Sequence, residues 1–321
     1  MKIRNLVLPL ASMCTVMMPA LALADYPDKP ITMVVPFAVG GNSDITARII
    51  APALGKALNT TIVVVNKPGA GGIIGTAQVA KAEADGYTLL MTTPNAIAVA
   101  PFMAPTGYKT ADFSSVGMIA ETPLLIDANP NGKYQTIQEL LKSACDKPGT
   151  VTVGHSGIGT TNYVALINLE EATGCTFNAI PYKGAGPAIV DLAGGQLDFV
   201  IDQLSSSTSL IAGGKIKVLA VMTAERVPAL KDIPTLRESG MASIDASTVI
   251  GVVAPKSTPE TIVKKLNAAL RQVAEDDIVK RAFDGVGSTA KWSSPDDFDT
   301  LLGKEEEQAR RLSDAGKLTV K

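Results

Sequence analysis

Short runs rich in β-branched residues alternate with stretches of helical periodicity along most of this 321-residue chain. Runs at 31–36, 61–65 and 88–92 are separated by helical patterns near 43–58 and 73–84. Such alternation predicts a mainly parallel sheet covered by helices, because a parallel crossover needs a helix to return the chain. In the first helix the spacing of Ile45, Ile49 and Ala53 predicts the buried face, and Pro52 predicts a local kink. A second set begins after about residue 123, with strands at 124–127, 151–154, 177–181 and 197–201. Thr136 with Glu139 forms a capping box there, and Gly186-Pro187 suits a helix start. Residues 217–223 read as a strand returning toward the first set, and Thr258-Pro259 and Ser294-Pro295 open further helices. The expected fold is α/β with two lobes, 25–122 plus 224–321 forming lobe 1 and 123–223 forming lobe 2. A chain of this length favours such a division over one core.

Residues 1–24 have the parts of a secretory signal: Lys2 and Arg4, an apolar run from Leu6 to Met18, and the small-residue site Ala22-Leu23-Ala24. Pro9, Ser12 and Pro19 interrupt the run, which is shorter than the roughly 20 residues a spanning helix needs. Cleavage after Ala24 and export to the periplasm are expected. Met13 stands where a small residue would precede a lipid-modified cysteine, which argues against attachment at Cys14. The formal net charge is -2 with no long block of one sign, unlike the clustered cations that neutralise nucleic-acid phosphates. Cys145 and Cys175 lie near helix ends that flank one strand. An oxidising compartment permits a bridge between them, and two buried free thiols are the alternative.

Catalytic equipment is missing. Gly154-His155-Ser156-Gly157-Ile158 approaches a nucleophile elbow, but Ile158 stands where the last glycine is required. His155 is the sole histidine and adjoins that serine in sequence, so it makes a poor distant base. The run from Gly69 to Gly75 is one residue too long for a dinucleotide fingerprint, and no Walker lysine follows a glycine loop. One histidine and two cysteines cannot build an ordinary zinc site. Asp44 and Asp202 either face each other across a cleft or, for Asp44, cap a helix. These features point to binding, with no enzyme activity and no cofactor.

Three glycine-rich segments, 37–44, 66–75 and 154–161, sit where a strand ends and a helix begins. In open α/β sheets ligands bind beyond the carboxyl ends of the strands, where free N–H groups and the helix dipole favour an anion. The segments VVPFAVGGNSD (34–44), NKPGAGGIIG (66–75), VTVGHSGIGTT (151–161), IPYKGAGPAIVDLAGGQLDFVID (180–202), DIPTLRESG (232–240) and GVVAPKSTPE (251–260) resemble the Bug family, the TctC-like receptors of tripartite tricarboxylate transporters. The resemblance runs in order over nearly the whole chain after the leader. It implies a two-lobed Venus flytrap that holds a carboxylate through backbone groups and waters. It places Phe37, Ala38, Gly41, Asn42 and Asp44 in one wall, Ser156, Gly157, Gly159, Thr160 and Thr161 in the other, and Asp202 near the distal end of the ligand. Implied ligands are di- and tricarboxylates, acidic amino acids, nicotinate-like compounds and aromatic acids. Implied partners are a membrane permease and a small membrane subunit, served by a monomeric receptor. A sensor component that signals through a membrane partner is the alternative role. Val39 replaces a common proline, His155 a small residue and Tyr163 a frequent histidine. His155 either reaches the ligand or packs, and Lys183 either lines the cleft rim or extends into water.

Overall fold

A computed structural model describes residues 26–241, 244–314, 316 and 318, so the expected leader and its cleavage site lie outside the described residues. The first half runs β1 (Ile31–Val35), α1 (Asn42–Leu58), β2 (Ile62–Asn66), α2 (Ile73–Ala80), β3 (Thr88–Thr92), α3 (Pro94–Ala98), α4 (Ala100–Met103) and β4 (Phe113–Ala128). The chain continues through α5 (Ile137–Asp146), β5 (Thr152–His155), α6 (Thr161–Thr173), β6 (Asn178–Pro181), α7 (Ala185–Ala193), β7 (Phe199–Gln203), α8 (Leu204–Ala212) and β8 (Lys217–Val221). It ends with β9 (Ser247–Pro255), α9 (Glu260–Glu275), α10 (Asp277–Gly285), β10 (Thr289–Ala290) and α11 (Pro295–Asp314). No helix among the described residues is long and apolar enough to cross a membrane.

The strands run in the order β2-β1-β3-β9-β4-β7-β5-β6, with β8 and β10 also on β4. Pairings of β1 with β2 and β3, and of β5 with β6 and β7, are parallel. Those of β4 with β7, β8 and β9 are antiparallel. β1 is covered on both faces: Met33 and Val35 join the core under α1, while Val34 joins a second core with Phe298 and Leu302 of α11. That double burial explains the continuous apolar run ITMVV. The second lobe repeats the arrangement, with Val153, Phe199 and Ile201 packed under α5 and α6, and Val200 under α7.

β4 ties the lobes together. Its first part, Phe113 to Pro123, pairs with β9, and its last five residues pair with β7 and β8. A strand of 16 residues spans about 50 Å. α11 makes another tie, since Phe298 and Leu302 are buried in the first lobe and Ala309 in the second.

Several expectations shift. The buried stripe of α1 is Ala47, Ile50, Leu54 and Leu58, whereas Ile45, Ile49 and Ala53 are only half-buried beside it. β8 does not return toward the first lobe but pairs with the second-lobe end of β4. Leu236 is buried among second-lobe residues, and Val221 bridges Thr235. Beyond residue 223, in the part expected in lobe 1, Leu236, Met241, Ile244 and Ala246 thus pack against the second-lobe core, and β9 carries the chain back.

The structure joins Cys145 and Cys175 in a disulfide with a sequence separation of 30. It links the end of α5 to the turn after α6, with Cys175 buried against Leu141. Closing a loop of this size restricts the unfolded chain by about 3–4 kcal/mol. Replacing both cysteines by serine is expected to lower unfolding stability by roughly that amount, measured by chemical denaturation of the oxidised protein and the double variant.

Candidate functional site

The carboxyl ends of β1, β3, β5 and β7 open onto one small cavity between the lobes. It is lined by Phe37, Gly41, Asn42, Ser43 and Thr93 from one side and by Ser156, Thr160, Thr161, Asn162, Ala185 and Gln203 from the other. Four helices of eight or more residues begin at its wall. Gly41 precedes α1, Thr160 caps α6, Ala185 is the first residue of α7, and Gln203 precedes α8. Each start has backbone N–H groups without an intrahelical partner and puts the positive end of a helix dipole at this wall. None of the lining side chains is ionisable.

Hydrogen bonds occupy most of the polar lining. Gln203 and Asn162 bond each other, and Gln203 Nε2 also donates to Thr248 Oγ1 at 3.0 Å. Thr161 Oγ1 donates to Asn95 Oδ1 across the cleft at 3.0 Å. Asn42 Oδ1 accepts from Thr122 Oγ1 on β4 at 3.1 Å and from Ser205 Oγ on α8 at 2.8 Å. Asn42 Nδ2 and Thr93 Oγ1, both buried, have no protein partner. Unpartnered buried polar atoms are costly, and here both belong to residues that line the cavity.

The lobes meet by close backbone approach. The Ala38 N–H donates to the Lys183 carbonyl at 3.0 Å. A Cβ on Gly157 would stand 2.6 Å from Gly71 Cα, and one on Gly186 would collide with the Val39 carbonyl oxygen. Gly159 has φ +77° and lies against Ala100, so both conformation and space demand glycine there. Gly41, in contrast, has φ -84° as the residue before α1, and its special backbone need passes to Gly40 at φ +82°. The free volume between the walls is about 20 Å³, room for roughly one water molecule.

Of the residues expected in the walls, Phe37, Gly41, Asn42, Ser156, Thr160 and Thr161 line the cavity. Ala38, Gly157 and Gly159 lie in the seam between the lobes. Asp44 turns behind its loop, accepting from the Gly40 N–H at 2.9 Å, from Asn66 Nδ2 at 2.9 Å and from Arg48. Burial works to raise its pKa, but those donors hold it below the ordinary carboxylate value. Asp202 also faces away. Strand alternation sends Phe199, Ile201 and Gln203 to one face of β7 and Val200 and Asp202 to the other. Ser43, Thr93, Asn162, Ala185 and Gln203 were missed; Gln203 directly follows the 180–202 segment, and Thr93 directly follows a predicted strand. Lys183 is exposed.

His155 is buried beneath α6, stacked on Tyr163 at 4.7 Å, and its Nδ1 accepts from the Gly157 N–H. Burial lowers its pKa to about 4, which keeps the ring neutral near pH 7. It supports the second loop from behind. Behind β7, Ser207 Oγ lies 2.5 Å from Asp127 Oδ2 and 2.8 Å from Asp202 Oδ2. One hydroxyl carries one proton, so both contacts are attractive only if one of the acids is protonated. Among the described residues neither acid forms an ion pair, and no cation contributes to the shift of either. Burial raises both pKa values, with the Asp202 charge adding to the effect on Asp127 and Asp202 itself reaching about 7.

These shifts have opposite linkage signs. The folded His155 binds fewer protons than the unfolded one, so its contribution is present above about pH 6.5 and is lost as pH falls toward 4. The folded acid pair binds more protons, so its contribution is present at acid pH and is lost as pH rises through about 7. Unfolding stability is therefore expected to fall between about pH 6.5 and about pH 8.5. Asp127→Asn, which imitates the protonated acid, is expected to flatten that decline, as followed by urea denaturation at both values.

The sequence profile of the TctC family, described as the tripartite tricarboxylate transporter family receptor, matches residues 46–312. The chain is 35% identical to the protein BugT of Bordetella pertussis over 283 residues, 87% of each chain. A solved structure of the periplasmic binding protein BugD superposes with a TM-score of 0.86 at 34% identity, covering 92% of this chain and 100% of that one. The structure of MatC from Rhodopseudomonas palustris with bound malate superposes with a TM-score of 0.85 at 29% identity, covering 90% and 100%.

Proposed function

Because the chain belongs to the tripartite tricarboxylate transporter receptor family, we propose that it captures a small carboxylate in the periplasm and delivers it to a membrane permease and small membrane subunit. The observation that carries the proposal is the convergence of four helix starts on one cavity that holds the unpartnered Asn42 Nδ2 and Thr93 Oγ1. A carboxylate leaving water loses strong hydration and needs replacement donors. Each helix start contributes about 0.3–1 kcal/mol, and up to about 2 kcal/mol in partly buried geometry. The malate-bound relative supports the ligand class. Catalysis forms no part of the proposal, since no nucleophile–base pair and no ionisable side chain lines the cavity.

The closed walls leave too little room for a carboxylate, so admission requires the lobes to part. The proposed hinge runs through Thr122 to Leu124 on β4 and through Ala246 and Ser247 at the start of β9, where the chain passes from one lobe to the other. α11 bends or slides with it. In this scheme residues 26–122 and 247–302 move as one lobe and 124–246 as the other. Ligand then restores the Ala38–Lys183 and Ser205–Asn42 bonds as it draws the walls together. Hinge closure of this kind removes the anion from water and strengthens its hydrogen bonds.

Gly186 gives a specific test. It sits inside α7 in an ordinary backbone conformation, and the atoms that a Cβ would meet belong to Val39, Gly40 and Gly41 of the opposite lobe. Gly186→Ala is thus expected to leave the open protein as stable as before. Calorimetry should show its carboxylate affinity weakened at least about tenfold, or 1.4 kcal/mol. Lys183→Ala is expected to change affinity less than about threefold. Small-angle scattering should show ligand shrinking the wild-type radius of gyration but not that of Gly186→Ala. A radius that ligand leaves unchanged in the wild type would refute closure, and failure of every acid in a broad panel to bind would refute the receptor reading.

A further inference from the structure

Two fully buried acids lie beneath α8 with one hydroxyl between them. Asp127 of β4 and Asp202 of β7 are both 0% exposed. The Ser207 hydroxyl touches Asp127 Oδ2 at 2.5 Å and Asp202 Oδ2 at 2.8 Å, while Asp127 Oδ1 and Asp202 Oδ1 meet no donor. Two carboxylates that share a single donor repel each other, and a proton held on the pair turns that repulsion into a hydrogen bond. Burial raises both acids, Asp202 to about 7. The other charged groups on the elements packed here contribute to neither shift: not Glu121 of β4, Asp191 of α7, Lys215 and Lys217 beside β8, Lys231 and Asp232 after it, Asp44, Arg48 and Lys56 of α1, or Asp284 near the end of α10. α8 itself, LSSSTSLIA, carries no charge.

The same helix carries ties between the lobes. Ser205 Oγ donates to Asn42 Oδ1 of α1 at 2.8 Å, and Thr208 Oγ1 lies 3.1 Å from the Val286 carbonyl after α10. Gln203, just before α8, donates to Thr248 of β9 at 3.0 Å, and Leu204 leaves no room for a Cβ on Gly287. Ser207 sits within the same two turns, so the acid pair and the opposite lobe both hold one short helix in place. Loss of the proton leaves two like charges against one hydroxyl, which pushes Ser207, and α8 with it, away from the pair. Conversely, parting the lobes frees the outer side of α8, brings water nearer the acids and favours their ionised form.

We infer that the Asp127–Asp202 pair is a proton site coupled to closure: the closed receptor holds a proton there that the open receptor releases, so carboxylate capture takes up protons and weakens as pH rises above neutrality. This inference rests on the hinge-closure reading above and adds regulation by pH to it. The pair's pKa is higher in the closed state than in the open one, so the closed state binds more protons. Its contribution to closure is therefore present at acid pH and is lost as pH rises through about 7. His155, at about 4, titrates below this window.

The test is calorimetry of the whole mature protein with malate, or, if malate does not bind, with the tightest-binding acid of the panel above that is fully ionised over the range used. Titration at about pH 7.5 in two buffers of different ionisation enthalpy counts the protons taken up with the ligand. The expected result is net uptake of a fraction of a proton, and a Kd at least about threefold larger at about pH 8.5 than at about pH 6.5. Asp127→Asn, which imitates the protonated acid, is expected to bind within about threefold of the wild type at the lower pH and to lose both the uptake and the pH dependence. Asp202→Asn should behave in the same way and replaces it if the first variant does not fold. Infrared spectroscopy of the wild type needs no variant: at about pH 7.5 ligand is expected to strengthen the carbonyl band of protonated carboxyl groups. Uptake that is absent, reversed in sign or undiminished in a folded variant, or an infrared band that ligand leaves unchanged, overturns the inference while the receptor reading stands. Failure of every acid to bind removes both.

Discussion

Four helix starts converge on one cavity between the lobes and bring the positive ends of four dipoles to its wall. That arrangement depends on strand direction: β1 runs one way through the sheet and β5 and β7 the other, so their carboxyl ends meet at the cavity, and each leads into a helix that starts at its wall. α7 supplies a fourth start after β6. A cation would attract an anion equally well, but it brings a flexible side chain and its own desolvation cost. Helix starts are held in place by the two lobe cores and need no reorganisation.

The two walls also meet closely across the cavity. Side chains would hold them apart, so the meeting surfaces are bare backbone at Gly71, Gly157, Gly159 and Gly186. Polar ties complete the seam, with Asn42 bonded to both the crossing strand and α8. The same residue thus senses the cavity with one end of its amide and the lobe arrangement with the other. Behind the second wall, the neutral His155 holds the loop through the Gly157 N–H, and Ser207 of α8 ties Asp127 of β4 to Asp202 of β7.

Much of this was legible in the residues. The glycine-rich strand-to-helix turns located both walls, because only such turns combine sharp direction changes with bare N–H groups. Six of the expected wall residues line the cavity. What escaped was orientation. Asp202 was expected at the site from the family resemblance, but a one-residue step along β7 turns it to the opposite face and brings Gln203 to the cavity. The stripe on α1 was displaced in the same way, with Ile50 and Leu54 buried and Ile49 and Ala53 at its margin. The first part of β4 carries Ser114, Ser115, Gly117, Glu121 and Pro123, a weak strand signal that pairing with β9 overrides.

The sequence by itself determined the layered α/β class, the order of most strands and helices, the absence of a triad or metal motif, and the glycine-rich loops that border the cavity. These follow from local rules of periodicity, turn chemistry and residue type, which act over a few neighbours. Tertiary structure decided which face each strand residue presents, where the chain recrosses between the lobes, which polar groups are spent on one another and which remain for a ligand. Those outcomes depend on pairings between residues far apart in the chain, such as Asn42 with Thr122 and Ser205, or Gln203 with Thr248. Only the folded arrangement brings such partners within hydrogen-bonding distance.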